Sequence, residues 1–138
     1  MIDLVELSVY TNNVELTEHP TQEQILAAFD LMEEGGGRQE RWCSQLILTV
    51  KENQEDPCFC ISGGNDGLYL VSFNDEQSQF YVLMDYDQSP LEEVIITTGG
   101  QEVEYSRQWC CERLVARYVL RDFMMTGGKC ELYRWVKV

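Results

Sequence analysis

The sequence lacks basic residues over a long central stretch. Residues 52–106 contain no Lys or Arg, although twelve Asp and Glu residues fall there. A surface this negative repels nucleic-acid phosphates and anionic lipid headgroups, so we expect neither nucleic acid nor a membrane as partner. It attracts basic proteins and speeds their association; the plainer interpretation is that the acids only confer solubility. The acids are Glu52, Glu55, Asp56, Asp66, Asp75, Glu76, Asp85, Asp87, Glu92, Glu93, Glu102 and Glu104.

Long apolar runs are also lacking. No stretch reaches 18 apolar residues, which predicts that no helix spans a membrane. The first residues show neither a basic region nor a cleavage signal, so secretion is not indicated and we expect a cytoplasmic protein. With 138 residues, 44% of them hydrophobic, the chain predicts one domain with a packed core.

Histidine is nearly absent, and the cysteines have the wrong spacing for a zinc site. The single histidine is His19, and the six cysteines include a C-x-C and a C-C pair but no C-x₂-C knuckle. We therefore expect buried thiols and no metal or cofactor. Neither a phosphate-binding loop nor the His-x-Glu of a deaminase is present, which favours a protein without catalytic activity.

Two helices are predicted. The first spans residues 21–34: Thr21 and Gln24 form a capping box, an apolar stripe follows, and three glycines at 35–37 end it. The second is capped by Ser106, runs to about Met125 and is followed by Gly127 and Gly128. Its expected buried side is Cys111, Leu114, Val115, Tyr118, Val119 and Asp122.

Seven segments have strand character and stand too close together for parallel crossovers, which favours antiparallel pairing. The prediction is an α+β fold: a largely antiparallel twisted sheet of about six or seven strands with two main helices packed on it. The predicted strands are residues 2–10, 42–50, 58–62, 68–73, 80–84, 92–98 and 130–138.

The order of the loops predicts a binding edge. In a meander, loops alternate between the two ends of the sheet, so Asp66 shares one end with residues 85–87 and Glu92 and Glu93 follow closely. The opposite end collects residues 52–56 and 75–76. The first end is preferred because it combines acids with an aromatic residue and a glycine-rich approach. The predicted binding residues are Asp66, Asp85, Tyr86, Asp87, Glu92 and Glu93.

Parts of the chain resemble the Imm-one family of immunity proteins, which protect bacteria from polymorphic toxins. The helix end Phe-Met-Met-Thr-Gly at residues 123–127 and the strand with Trp135 resemble the close of that family. Residues 58–73 are similar to its central hairpin, and the helix at 21–34 fits its order of elements. Residues 128–131 lack the proline that the family often carries there.

The resemblance implies an α+β protein that binds a toxin domain, often a nucleic-acid deaminase or nuclease, and it supplies no catalytic residues. The expected function is inhibition of a cognate toxin by occlusion of its basic cleft, with the acids pairing toxin Lys and Arg and Tyr86 as an anchor. The alternatives are a non-catalytic adaptor or chaperone-like subunit that binds another basic protein, and a small enzyme with an acidic cleft. The oligomeric state stays open.

Overall fold

The computed structural model describes residues 1–33 and 42–138, and its architecture is α+β, as the sequence predicts. The helices are α1 (Gln22–Asp30) and α2 (Arg113–Thr126). The strands are β1 (Glu6–Tyr10), β2 (Val14–Glu18), β3 (Gln45–Thr49), β4 (Cys58–Asn65), β5 (Leu68–Asn74), β6 (Phe80–Met84), β7 (Glu93–Thr98), β8 (Gln101–Ser106), β9 (Cys111–Glu112) and β10 (Arg134–Lys137).

Within residues 1–33 and 42–138, the main sheet has eight strands, and all of its pairs are antiparallel. Seven of them follow the order β10-β6-β5-β4-β3-β1-β2, and β9 pairs with the first residues of β5. β7 and β8 form a separate two-stranded hairpin. The predicted count of six or seven strands is therefore too low, because β2, β8 and β9 were not foreseen. Residues 92–98 were expected in the main sheet; among the described residues, their strand pairs with β8 and with no other strand.

Both helices pack on the same face of the sheet. Phe59 of β4 stacks on Phe123 of α2 with ring centroids 4.8 Å apart, and Tyr69 of β5 lies 5.5 Å from Phe29 of α1. Side chains alternate between the two faces of a strand, so the buried Leu46, Leu48, Phe59, Ile61, Tyr69, Val71 and Phe73 share this face with the helices. The predicted packing of two helices on a sheet is confirmed.

The start of α1 is confirmed in atomic detail. The Thr21 hydroxyl accepts a hydrogen bond from the Gln24 backbone N–H at 3.2 Å, and the Gln24 side chain accepts one from the Thr21 N–H at 2.9 Å. This reciprocal pair satisfies two donors that would otherwise have no partner at the helix start. The helix ends at Asp30 with Leu31 as its C-cap, so the predicted end at residue 34 is wrong. The predicted glycine stop at residues 35–37 lies outside the described residues.

The second helix begins six residues later than predicted. Ser106 caps a short 3₁₀ turn (Arg107–Trp109), β9 follows, and α2 starts only at Arg113. On the predicted side, Cys111 and Val119 are buried and Val115 packs against the core, whereas Leu114 and Tyr118 are exposed. The buried residues of α2 are Ala116, Val119, Leu120, Phe123 and Met124. Among residues 1–33 and 42–138, no helix has the length and apolar character needed to cross a membrane.

The β7–β8 hairpin lies over the sheet face that the helices leave open. Thr98 at the end of β7 is hydrogen-bonded to Ser62 at 2.7 Å and to Gln45 at 3.4 Å. Gln45 and Ser62 are sequence neighbours of the core residues Leu46 and Ile61 and therefore point away from the helices. The hairpin consequently covers part of the second face and carries the start of β7, with Glu93, towards the β4–β5 turn.

Candidate functional site

Asp66 lies in the tight turn between β4 and β5. Asp66 and Gly67 have φ values of +51° and +73°, and positive φ at both central residues is what a type I′ turn requires. The turn is shorter than predicted, because β4 continues to Asn65 through a bulge at Gly63. The short turn fixes the position of the exposed Asp66 carboxylate at the end of the sheet.

The loop after β6 is organised by Asp85. Its carboxylate accepts hydrogen bonds from the Asp87 backbone N–H at 3.1 Å and the Gln88 side chain at 3.4 Å. Its own N–H donates to the Gln108 carbonyl at 2.7 Å, which ties the loop to the 3₁₀ turn. Tyr86 and Asp87 are exposed on this loop, whose backbone is fixed by these hydrogen bonds. Both side chains are therefore accessible to another protein.

Glu92 and Glu93 are exposed at the start of β7. The Glu92 carbonyl accepts a hydrogen bond from the Arg107 N–H at 2.8 Å, and Glu93 pairs with Ser106 in the hairpin register. Both backbones are anchored, although neither side chain is buried. The hairpin, which the sequence did not predict, is what positions these two acids.

The predicted residues lie in two shallow recesses. A hairpin recess of about 450 Å³ includes Asp66 and Glu93, and a Tyr86 recess of about 460 Å³ includes Asp85, Tyr86 and Asp87. β9 pairs with Leu68, and the 3₁₀ turn bonds to Asp85, so residues 107–112 separate the two recesses. Glu92 lines neither. The structure therefore brings five of the six residues together as two groups and leaves Glu92 outside both.

Three charged residues of these recesses were not predicted. Glu102 lines the hairpin recess, and Glu112 and Arg134 line the Tyr86 recess. Arg134 reaches the site because β10 pairs with β6 and sets Arg134 opposite Met84; its guanidinium lies 5.5 Å from the Tyr86 ring centroid. The alternation of polar and apolar residues at 101–106 is the signal that could have revealed β8 and Glu102.

The two ends of the sheet differ in how far their charges are neutralised. At the opposite end, Lys51 pairs with Glu76 at 3.0 Å, and Ser78 donates to Asp56 at 2.6 Å. These contacts confirm that residues 51–56 and 75–78 meet there. Within the described part of the chain, no Lys or Arg lies within ion-pair distance of Asp66, Asp85, Asp87, Glu92 or Glu93. The end that the sequence favoured therefore has no ion pair to these five carboxylates among the described residues, although Arg134 lines the same recess as Asp85 and Asp87.

The cysteines are unsuited to nucleophilic chemistry. Cys43, Cys110, Cys111 and Cys130 are buried, while Cys58 and Cys60 are half-buried. Burial raises the pKa of Cys58 and Cys111 to about 12 and that of Cys110 to about 11. Since the thiolate is the reactive form, these thiols are protonated and inert near neutral pH.

Among residues 1–33 and 42–138, no group of three or more His, Cys, Asp or Glu side chains is arranged to hold a metal ion.

The comparisons with known proteins give no family. No protein-family model matches the chain, and no curated protein matches it. The resemblance to immunity proteins therefore stays a prediction from the motifs in the sequence.

Proposed function

We propose that this protein is an immunity protein that binds a cognate polymorphic toxin and covers its basic, nucleic-acid-binding cleft. The single observation that carries the proposal is the set of carboxylates at one end of the sheet that have no ion-pair partner among the described residues. A protein that must occupy a cleft built for phosphates gains from presenting negative charge. The role is binding, and no residue of the chain is assigned to catalysis.

The fixed loops support binding by a preformed surface. Asp66 sits in a two-residue turn, and the loop of Asp85 is held by hydrogen bonds to Asp87, Gln88 and Gln108. Ordering a loop on association costs free energy, and a loop that is already ordered avoids that cost. The carboxylates are therefore set to meet Lys and Arg side chains with little rearrangement.

Tyr86 is the proposed aromatic anchor. Half of its side chain is exposed, and Arg134 lies against its ring. Tyrosine is enriched among residues that dominate binding energies, because it combines a large apolar area with few rotatable bonds. Arg134 keeps the ring in place and adds one positive charge, so the Tyr86 recess is mixed in charge and the hairpin recess is purely acidic among its charged residues.

The test is capture of the partner with two matched charge variants. The first variant neutralises the proposed surface through Asp85→Asn, Asp87→Asn, Glu92→Gln and Glu93→Gln. The second neutralises the opposite end through Glu52→Gln, Glu55→Gln, Asp75→Asn and Glu76→Gln. Each set removes four charges and includes one carboxylate that accepts backbone N–H bonds within its own loop, Asp85 or Asp75.

The captured protein is then expressed alone and together with each form. We expect a toxin that halts growth when expressed alone, rescue by the wild type and by the second variant, and an association rate lowered about tenfold for the first variant at low salt. A captured protein that is not toxic supports the adaptor function instead. Equal effects of the two variants would show that the proposed end does not bind.

A further inference from the structure

The Tyr86 recess is lined by apolar side chains as well as by acids. Met84 at the end of β6, Val115 on α2 and Leu132 in the turn before β10 lie around its volume of about 460 Å³. Leu132 is 74% exposed, and Tyr86 is 50% exposed. Covering apolar surface that is in contact with water is favourable. The recess therefore offers another protein an apolar contact in addition to its charges.

The apolar surface of the recess continues along α2. Leu114 and Tyr118 are exposed, and residues four positions apart on a helix are neighbours on its surface. The Tyr118 ring lies edge-on to the Tyr133 ring, with centroids 6.1 Å apart, and Tyr133 lines the recess. Single exposed apolar residues are ordinary on a protein surface, whereas a contiguous apolar patch marks a site of interaction.

Hydrogen bonds fix the segments that form the recess. In the turn that carries Leu132, the Cys130 carbonyl accepts the Tyr133 N–H at 3.5 Å and the Trp135 indole N–H at 2.9 Å. In the loop after β6, the Asp85 carboxylate accepts the backbone N–H of the second residue after it at 3.1 Å. A partner that binds a preformed recess avoids the free-energy cost of ordering it.

The charges of the recess select a basic occupant. Its charged lining residues are Asp85, Asp87, Glu112 and Arg134, which are three acids and one base. Glu112 is the N-cap residue of α2, and its side chain makes no capping hydrogen bond. Among the described residues, none of the three acids has an ion pair. Lys or Arg beside an apolar side chain of a partner is therefore complementary to this lining.

A second copy of the chain fits the recess poorly. The protein has a net charge of −14, which opposes its association with itself. The arginines in the first turns of α2 are engaged within the chain, since Arg113 and Arg117 reach the Asp30 carboxylate at 3.1 and 3.9 Å. A different, basic protein that presents an apolar side chain meets both the apolar and the charge requirement.

We propose that the Tyr86 recess receives one large apolar side chain of the partner, such as Phe, Leu or Met, and that Lys or Arg next to it pairs with Asp87 and Glu112. The inference rests on the proposed function in that the recess belongs to the same binding surface, but it does not depend on the partner's being toxic. Binding energy concentrates in such buried apolar contacts, while charges at the rim act mainly on the association rate.

Three short synthetic peptides probe the recess. The first has a central phenylalanine flanked by lysines and arginines. In the second, serine replaces the phenylalanine, so that the charge is the same, and in the third, glutamine replaces the basic residues. Each peptide is titrated into isotope-labelled protein and followed by NMR. We expect the first to bind at least about tenfold more tightly than either of the others and to shift the amide signals of Tyr86, Glu112 and Leu132.

Two exposed leucines give matched variants that keep every charge. Leu132 lines the recess, whereas Leu91, which is 90% exposed, lies next to Glu92 and lines neither recess. Neither leucine belongs to the core, so Leu132→Ala and Leu91→Ala should both fold. We expect Leu132→Ala to weaken binding of the phenylalanine peptide about tenfold and Leu91→Ala to leave it unchanged.

Three outcomes would overturn the proposal. They are binding of the phenylalanine peptide no tighter than that of either control peptide, amide shifts confined to other parts of the protein, and equal binding of the phenylalanine peptide by Leu132→Ala and the wild type.

The captured partner separates this proposal from the proposed function. If Leu132→Ala binds it as the wild type does, while the variant neutralised at Asp85, Asp87, Glu92 and Glu93 does not, the acidic surface stands and the recess proposal is wrong. If Leu132→Ala weakens the binding of a captured protein that is not toxic, the recess proposal stands and the immunity function is wrong.

Discussion

At the scale of single residues, Gly64 shows how one glycine joins two elements. Its φ is +98°, and an added Cβ would come within 2.5 Å of the Met32 carbonyl oxygen. That carbonyl also accepts hydrogen bonds from the Tyr69 hydroxyl and from Arg113. Three segments therefore meet at the Met32 carbonyl: the chain after α1, the bulge of β4 and the start of α2. Only glycine at position 64 leaves room for this carbonyl, because glycine has no Cβ.

We predict that Gly64→Ala lowers the free energy of unfolding by about 2–3 kcal/mol, since it combines a strained φ with a clash against backbone. Gly67→Ala is the matched control, because Gly67 also has a positive φ and its Cβ would meet nothing within 4 Å. Its cost should be only about 1 kcal/mol. Urea unfolding measures both, and equal losses would mean that the contact with Met32 is unimportant.

At the scale of elements, one buried side-chain amide makes two of the hydrogen bonds that hold the β7–β8 hairpin on the sheet. Asn65 is buried; its carbonyl oxygen accepts the Thr97 backbone N–H at 2.8 Å, and its NH₂ group donates to the Thr97 hydroxyl at 3.0 Å. Removal of such a partner leaves a buried donor and acceptor unsatisfied. The position of Glu93 beside Asp66 follows from this contact.

We predict that Asn65→Ala destabilises the protein by about 1–3 kcal/mol and loosens the hairpin more than the main sheet. Hydrogen exchange should accelerate first in residues 93–106, while β1 and β3 keep their protection. Thr17→Ala, a half-buried change on the far edge strand β2, serves as the control. Uniform acceleration across all strands would show that Asn65 supports the whole fold and not the docking of one hairpin.

At the scale of the whole molecule, the buried thiols couple stability to alkaline pH. Burial raises the pKa of Cys58, Cys110 and Cys111 above their ordinary value of 9.0, and it also raises that of Tyr69. The folded state therefore retains protons that the unfolded state loses above pH 9. The stabilisation is complete below pH 9 and is lost as the pH rises towards 11–12.

We predict that the urea midpoint falls progressively as the pH is raised from about 8.5 to about 10.5, by the linkage just described. Cys111→Ala should lower stability at every pH, because it leaves a cavity, but its dependence on pH should be shallower than that of the wild type. The quantity compared is the slope of stability against pH. A loss of stability that is the same at every pH does not change this slope. An unchanged slope would mean that Cys111 does not contribute to the alkaline sensitivity.

The sequence by itself determined the features that depend on neighbouring residues. The capping box of Thr21, the alternation of Leu46 and Leu48, the turn at Gly67 and the helix stop at Gly127 are all local, and all are confirmed. The alternation of successive loops between the two ends of a meander likewise divided the acidic loops into two groups. These features follow from backbone hydrogen bonding and from side-chain periodicity over a few residues.

Only the tertiary structure decided how distant segments meet. The pairing of β10 with β6 brought Arg134 to Tyr86, and β9 separated Asp66 from Asp85. The separate hairpin carried Glu93 to the β4–β5 turn. Such pairings depend on which surfaces are buried together across dozens of residues. The local pattern of a short, exposed strand is compatible with several partners, and packing chooses among them.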